Sequence, residues 1–498
     1  MESIKIASAF ISVYDKTGLD ALVNALHSHG TTLYSTGGTE AFIAQMGIKV
    51  HSVESLTDYP SILGGRVKTL HPKVFGGILA RRSQPDDMAT LAQYNIPSFD
   101  LVVVDLYPFE ATLASGASHP ETIEKIDIGG ISLIRAAAKN YQDVAIISQQ
   151  VQYEQVIEML QNQDGCTTLD QRKMLAAKAF STSAHYDAAI SSYFNAQTNQ
   201  SETLRYGENP HQTAVFEGQL SELFEHLGGK TISYNNLLDV DAAVNLMQDF
   251  TQTTFAILKH TNACGVASRP TVLEAWKAAL EGDPVSAFGG ILITNATIDA
   301  ETATDISKLF YEVLIAPNYT PEAQEILTQN KKRIVLRQIK PLTGTWQHRS
   351  LLNGTIKQQK DLKTETAQDL KVVTQNSPSQ HLINDLIFAN TIVKHTKSNA
   401  IVLTKNLQLI GSGTGQTSRI DALKQAIAKA KAFNLDLQGA TLASDAFFPF
   451  ADSVELAHLE GINTIIQPGG SIKDQDSIDY CNANQMTMIF TGVRHFKH

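Results

Sequence analysis

Residues 99–106 read FDLVVVDL. The apolar residues run on without alternation, the pattern of a strand buried on both faces, and such strands belong to parallel sheets covered by helices. Working outward, Ile4–Val13 reads as a strand and Asp20–His29 as a helix. Thr31–Tyr34 is a strand that runs straight into Ser35-Thr36-Gly37-Gly38, and Glu40–Met46 continues as a helix. Val144–Ile147 is a further strand. This alternation predicts right-handed βαβ units on a parallel sheet. Past the polar stretch Asn195–Thr203, read as a linker, the alternation resumes with strands at Phe255–Leu258, Ile291–Thr294, Ala400–Leu403, Thr441–Ser444 and Thr464–Ile466. AILKHTNACG (256–265) and AIVLTKNLQLIGSG (400–413), and likewise DPVSAFGG (283–290) and SDAFFPFADS (444–453), suggest a diverged internal duplication. The polar stretch Arg337–Gln380 takes no assignment.

The chain has 498 residues, with 40 Lys and Arg against 50 Asp and Glu, for a formal charge of −10. That length predicts roughly three domains, or two large ones. An acidic balance disfavours nucleic-acid binding, which needs a broad basic surface, but not a small anion in a local basic pocket. Three separated cysteines, Cys166, Cys264 and Cys481, make neither a disulfide framework nor a zinc site. No signal peptide is evident, and no apolar run reaches the roughly 18 residues of a membrane helix, so a cytoplasmic protein without a membrane partner is expected.

Several clusters carry chemistry. Ser35–Thr39 stands between strand and helix, where it serves either as a phosphate-binding turn or as a plain helix cap. Arg66 to Arg82 holds five Lys or Arg and no acid; interrupted by Gly and Pro, it suits a phosphate-clamping loop, although charge clusters are usually solvated faces. Asp127-Ile128-Gly129-Gly130 opens a helix whose last turn carries Lys139, where a lysine simply complements the helix dipole. Lys259-His260-Thr261-Asn262 closes a strand; a histidine there is either a general base, with the lysine facing an oxyanion, or a turn residue. Arg205–Gln212 and Gly411–Gly415 are further polar and glycine-rich clusters. No H-x-E with P-C-x-x-C is present, which disfavours a zinc deaminase.

The motifs SVYDKTGL, STGGT, GGRVKTLHPKVFGGILARR, DLYPFE, DIGGISLIRAAAKN, LRYGENPHQ, KHTNACG, DPVSAFGG, SNAIVLTKN, GSGTGQTSR, SDAFFPFADS and QPGGSIKD follow one another from Ile11 to Arg494. Together they resemble the bifunctional purine-biosynthesis family that is both AICAR formyltransferase and IMP cyclohydrolase. The resemblance implies an α/β chain: a parallel-sheet, methylglyoxal-synthase-like domain at 1–195, and at 200–498 two deaminase-like α/β subdomains without zinc, split near 360. It implies formyl transfer from 10-formyltetrahydrofolate to AICAR by the second domain and dehydrative closure of formyl-AICAR to IMP by the first. It also implies a homodimer, and no metal in either step.

Matched motif by motif, the resemblance places IMP or formyl-AICAR against Tyr14, Asp15, Lys16, Ser35, Thr36, Gly37, Gly38, Arg66, Val67, Lys68, Thr69, Asp105, Leu106, Asp127 and Ile128. Lys139 falls on the cyclisation acid/base, against the dipole reading above. His260 matches the transferase base and Lys259 its oxyanion stabiliser. Arg205, Tyr206, His260, Gly289, Glu312, Asn399, Arg419, Phe447 and Arg494 match AICAR contacts, and Ile420, Asp452, Ser471 and Ile472 the folate side. Three departures stand out: Ala263 replaces a usual proline, Asp105 a usual Asn and Glu312 a usual Asp. An aspartate repels phosphate, so Asp105 is expected to face base or sugar.

Overall fold

A computed structural model describes residues 3–197 and 201–498. The chain forms two compact units that divide between residues 199 and 200. The expected linker narrows sharply: the helix Leu169–Gln197 covers its start and the strand Ser201–Leu204 its end, while 198–200 lie outside the described residues.

In the first unit five strands form one parallel sheet in the spatial order Val50–Ser52, Thr32–Ser35, Ser8–Ser12, Leu101–Val104, Ala145–Ile147. All four residues Leu101–Val104 are buried, as the unalternating run predicts. The segment read as one strand, Ile4–Val13, is two: Ser3–Lys5 leaves the sheet to pair antiparallel with Cys166–Thr168. Strand order reverses between Ser8–Ser12 and Leu101–Val104, and a crevice opens beyond their carboxyl ends at such a switch point.

The second unit contains two six-stranded sheets of identical topology. The first runs Phe224–Gly228, Ile334–Gln338, Val313–Ala316, Ile291–Thr294, Thr254–Lys259, Asn262–Ser268. The second runs Lys371–Val372, Thr487–Phe490, Thr464–Gln467, Thr441–Ser444, Ile401–Thr404, Leu409–Gly413. In each, a central parallel trio is flanked by antiparallel strands, and each edge hairpin carries its register shift at the same place, Ile257/Leu258 and Leu403/Thr404. The duplication is therefore real. The second motif pairing is corrected: DPVSAFGG precedes the strand Ile291–Thr294, whereas SDAFFPFADS follows the equivalent strand Thr441–Ser444.

Each half has a buried core of its own, one around Phe255 and Trp276 and the other around Leu403 and Phe448, and the two halves also share a third. Val240, Ala256 and Ile293 pack in one buried cluster with Leu386, Val402 and Ile466. The sheets meet through the antiparallel bridge Ala267↔Gln408. The unassigned stretch near 340–360 is an exposed hairpin, Trp346–Leu351 with Gly354–Gln359. Among the described residues no helix is long and apolar enough to cross a membrane.

Candidate functional sites

At the switch point of the first unit, the loop Tyr14–Lys16 leaves one central strand and Asp105–Leu106 leaves the other. Asp105 accepts from the backbone N–H of Tyr14 and, at 2.9 Å, from that of Asp15. It thus holds the loop in place, and burial raises its pKa. Asp15 caps the following turn by accepting from Thr17 N and Oγ1 at 2.9 and 2.7 Å.

Beside this loop, Gly37–Gln45 begins a nine-residue helix at Thr36, whose side chain makes no capping bond. Thr36 Oγ1 is buried without a partner. Two ammonium groups converge here: a Cβ placed on Gly37 would stand 2.8 Å from Lys68 Nζ, and one on Gly38 3.7 Å from Lys16 Nζ. A helix N-terminus, an unpaired hydroxyl and two lysines together suit a phosphate. Ser35 takes another role, since its buried hydroxyl donates to Ile11 O at 2.7 Å and ties two strands together.

The basic stretch divides. Lys68 turns to the glycine loop, but Arg66 pairs with Glu124, Lys73 with Asp58, Arg81 with Asp87 and Arg82 with Asp100. The buried Thr69 comes against Gly129, where a Cβ would stand 2.8 Å from its Oγ1; Val67 is half-buried beside it in the turn. Asp127 accepts from Gly130 N at 2.6 Å and burial raises its pKa, while Ile128 next to it is exposed. Sequence reasoning missed Tyr107 and Lys125. The Lys125 ammonium lies 5.3 Å from the Tyr14 ring centre and 5.8 Å from that of Tyr107, a cation–π contact with both. Lys139 is not brought to this cluster. It is the exposed last residue of the helix Gly129–Lys139, about 15 Å along the axis from Gly129 at 1.5 Å per residue.

In the second unit, Lys259 ends its strand and His260–Thr261 form the two-residue turn of the hairpin, with φ of 51° and 62°. Lys259 Nζ donates to Phe288 O at 2.8 Å, next to Gly289, and Glu312 N donates to Gly290 O at 3.0 Å. Lys259, His260, Gly289 and Glu312 therefore share one end of the first sheet. The Glu312 carboxylate binds Lys230 at 2.5 Å, a partner that no motif pointed to. Arg205 stacks 4.8 Å from the Tyr206 ring centre and donates to its hydroxyl at 2.9 Å. Asn235 of the helix Tyr234–Met247 holds the loop that follows them through Glu208 O.

Asn399, Arg419, Phe447, Ser471, Ile472 and Arg494 cluster at one end of the second sheet, beside the entry of Ile401–Thr404 and beyond the exits of four other strands. Asn399 Nδ2 donates to Gln416 O at 2.9 Å, and Arg419 binds the buried Asp445 at 3.0 Å. Arg494 stacks on Phe496. Ile420 and Asp452 lie in the first turns of the helices Arg419–Ala432 and Asp452–Leu459, and Ile472 is fully exposed. The antiparallel meeting of the sheets sets this end beside His260: Lys397 N donates to Asn262 Oδ1 at 3.0 Å. A cavity of about 250 Å³ spans the seam, lined by Lys259, His260, Cys264, Asp283, Ser412 and Lys429 among others. No group of three or more His, Cys, Asp or Glu among the described residues is arranged to hold a metal ion.

A doubly wound sheet with two lysines and a helix N-terminus at its switch point, followed by a duplicated α/β unit with a histidine-bearing seam, is the architecture of an α/β protein with two separate candidate sites. Residues 18–132 match the MGS-like domain family and residues 137–429 the AICARFT/IMPCHase bienzyme family. The protein described as bifunctional purine biosynthesis protein PurH in Bacteroides thetaiotaomicron is 56% identical, over 100% of both chains. The PurH proteins of Aquifex aeolicus and Acetivibrio thermocellus are 46% and 45% identical, covering 98% and 99% of this chain and 100% of their own. The chain belongs to the AICARFT/IMPCHase bienzyme family, and it is a bifunctional AICAR formyltransferase and IMP cyclohydrolase of purine biosynthesis.

Proposed function

We propose that the two activities divide between the two units: formyl transfer in residues 200–498 and ring closure in the N-terminal unit. The observation that carries this reading is the gathering of Lys259, His260, Gly289 and Glu312 at one sheet end, joined through Asn262 and Lys397 to the end that holds Asn399 and Arg419. The AICAR amine is a poor nucleophile because its ring and carboxamide withdraw electrons. His260 takes the amine proton as nitrogen attacks the formyl carbon, Lys259 faces the developing oxyanion, and the C–N bond to the folate breaks as that proton passes to the leaving folate nitrogen. Lys259 suits that role: one of its N–H groups is spent on Phe288 O, which fixes the ammonium in place. Arg205, Tyr206, Phe447 and Arg494 complete the AICAR site, and Ile420, Asp452, Ser471 and Ile472 face the reduced folate, 10-formyltetrahydrofolate, which acts as a cosubstrate.

Formyl-AICAR and IMP place their phosphate at Thr36–Gly38 between Lys16 and Lys68. Cyclisation is intramolecular, so this site chiefly holds a reactive conformer and moves protons. The acid/base role of Lys139 rests on the sequence resemblance, while the helix sets it apart from Asp127 in the same chain. The protein works as a cytoplasmic homodimer and uses no metal.

The test supplies AICAR and 10-formyltetrahydrofolate and measures tetrahydrofolate and IMP. His260→Ala abolishes transfer and spares cyclisation of added formyl-AICAR; loss of both refutes the division. Lys139→Ala decides its own case, since retained cyclisation removes it from the mechanism.

A further inference from the structure

Both positions of the His260–Thr261 turn lie in the left-handed region, where a β-branched threonine is strained. Two-residue hairpin turns with positive φ at both positions favour Asn, Asp or Gly. The equivalent turn of the second repeat is Asn406–Leu407, also with two positive φ angles, and there an ordinary turn residue occupies the first position. The strained member of the first turn is therefore Thr261, and something must hold the turn in place.

The holding group is Asp239. Its Oδ1 accepts from Thr261 N at 2.6 Å, while Thr261 Oγ1 and Asn262 Nδ2 donate to His260 O at 2.7 and 2.9 Å. In the second repeat Asp385 does the same, accepting from Asn406 N and Leu407 N at 2.8 and 2.6 Å. Each aspartate is the sixth residue of its helix, Tyr234–Met247 or Gln380–Lys394. The duplication has therefore kept one turn-holding device in both halves and placed histidine on only one of them. We infer that Asp239 is a positioning residue for formyl transfer, fixing the turn that aims His260 at the AICAR amine. This rests on the assignment of His260 as the base.

The experiment measures kcat and KM for formyl transfer, and cyclisation of added formyl-AICAR, in four full-length variants. Asp239→Ala lowers transfer kcat about 100-fold, the size of effect a misplaced catalytic group produces, and leaves KM for AICAR within about threefold. Asp239→Asn keeps an oxygen to accept from Thr261 N–H and recovers at least about tenfold of that loss. Asp385→Ala removes the matching bond from the repeat without histidine and leaves transfer kcat within about twofold. All three leave cyclisation unchanged. Asp239→Ala with near-normal kcat, an Asn variant no better than Ala, or an equal loss in Asp385→Ala overturns the inference. His260→Ala separates the two claims: if it retains transfer, the base assignment fails and this inference with it; if it is dead while Asp239→Ala is active, this inference alone fails.

Discussion

Thr36 carries a hydroxyl that the fold buries without giving it a partner. A buried hydroxyl without a partner loses its bonds to water and gains none, a cost of about 1–3 kcal/mol that folding alone does not explain. A phosphate oxygen at the open helix N-terminus would complete it. Thr36→Val keeps the shape and removes the hydroxyl, so it should leave the melting temperature unchanged or slightly higher. It should raise KM for formyl-AICAR about fivefold, equivalent to about 1 kcal/mol, with kcat preserved. Kinetics of the purified variant check this, and an unchanged KM removes Thr36 from the phosphate site. The STGGT motif made the loop legible in sequence, but not which of its hydroxyls is free: the fold gives Ser35 the carbonyl of Ile11 and gives Thr36 Oγ1 no partner. Likewise Arg82 reads as a phosphate ligand until the fold sets the buried Asp100 beside it.

Among elements, the C-terminal segment after the strand Thr487–Phe490 has a device of its own. It carries Arg494 and is pinned by the next residue, His495, whose ring contacts Asp361 at 2.6 Å and Glu365 at 3.1 Å. Burial opposes its charge, but bonds to the two carboxylates prevail and hold its pKa up at about 9. A pKa raised above the unfolded value of roughly 6.5 stabilises fully below that pH, and the contribution is lost as pH rises through about 9. Melting of the protein should therefore weaken between pH 6.5 and 9.5 by up to about 3 kcal/mol from this site, and His495→Gln should flatten that dependence. An unchanged slope in the variant would rule the site out as its source. Nothing in the local sequence marks His495, because its partners lie more than 100 residues away. Strands such as Leu101–Val104 are legible for the opposite reason: their burial on both faces is written in consecutive residues.

For the whole molecule, the division into two units makes a direct prediction. Residues 1–199, with their own sheet and core, should cyclise formyl-AICAR when expressed alone, and residues 200–498 should transfer formyl groups. By contrast, the two repeats share the buried cluster that joins Val240 and Ala256 to Leu386 and Val402, so a cut near 360 should give insoluble or unfolded halves, read by circular dichroism. Cooperative melting of either half alone would contradict the shared core. The α/β class, the parallel first sheet, the glycine turns and the catalytic histidine candidate are legible in the order of residues alone, because periodicity and turn chemistry act over near neighbours. Only folding gave the repeats one topology and brought them edge to edge, which sets Asn262 beside Lys397. Only it spent Ser35, Arg81 and Arg82 on structure, set Lys139 at the far end of its helix and placed Asp239 under the His260 turn. Those outcomes depend on which distant groups burial forces together, and a buried polar group takes whichever partner the packing supplies.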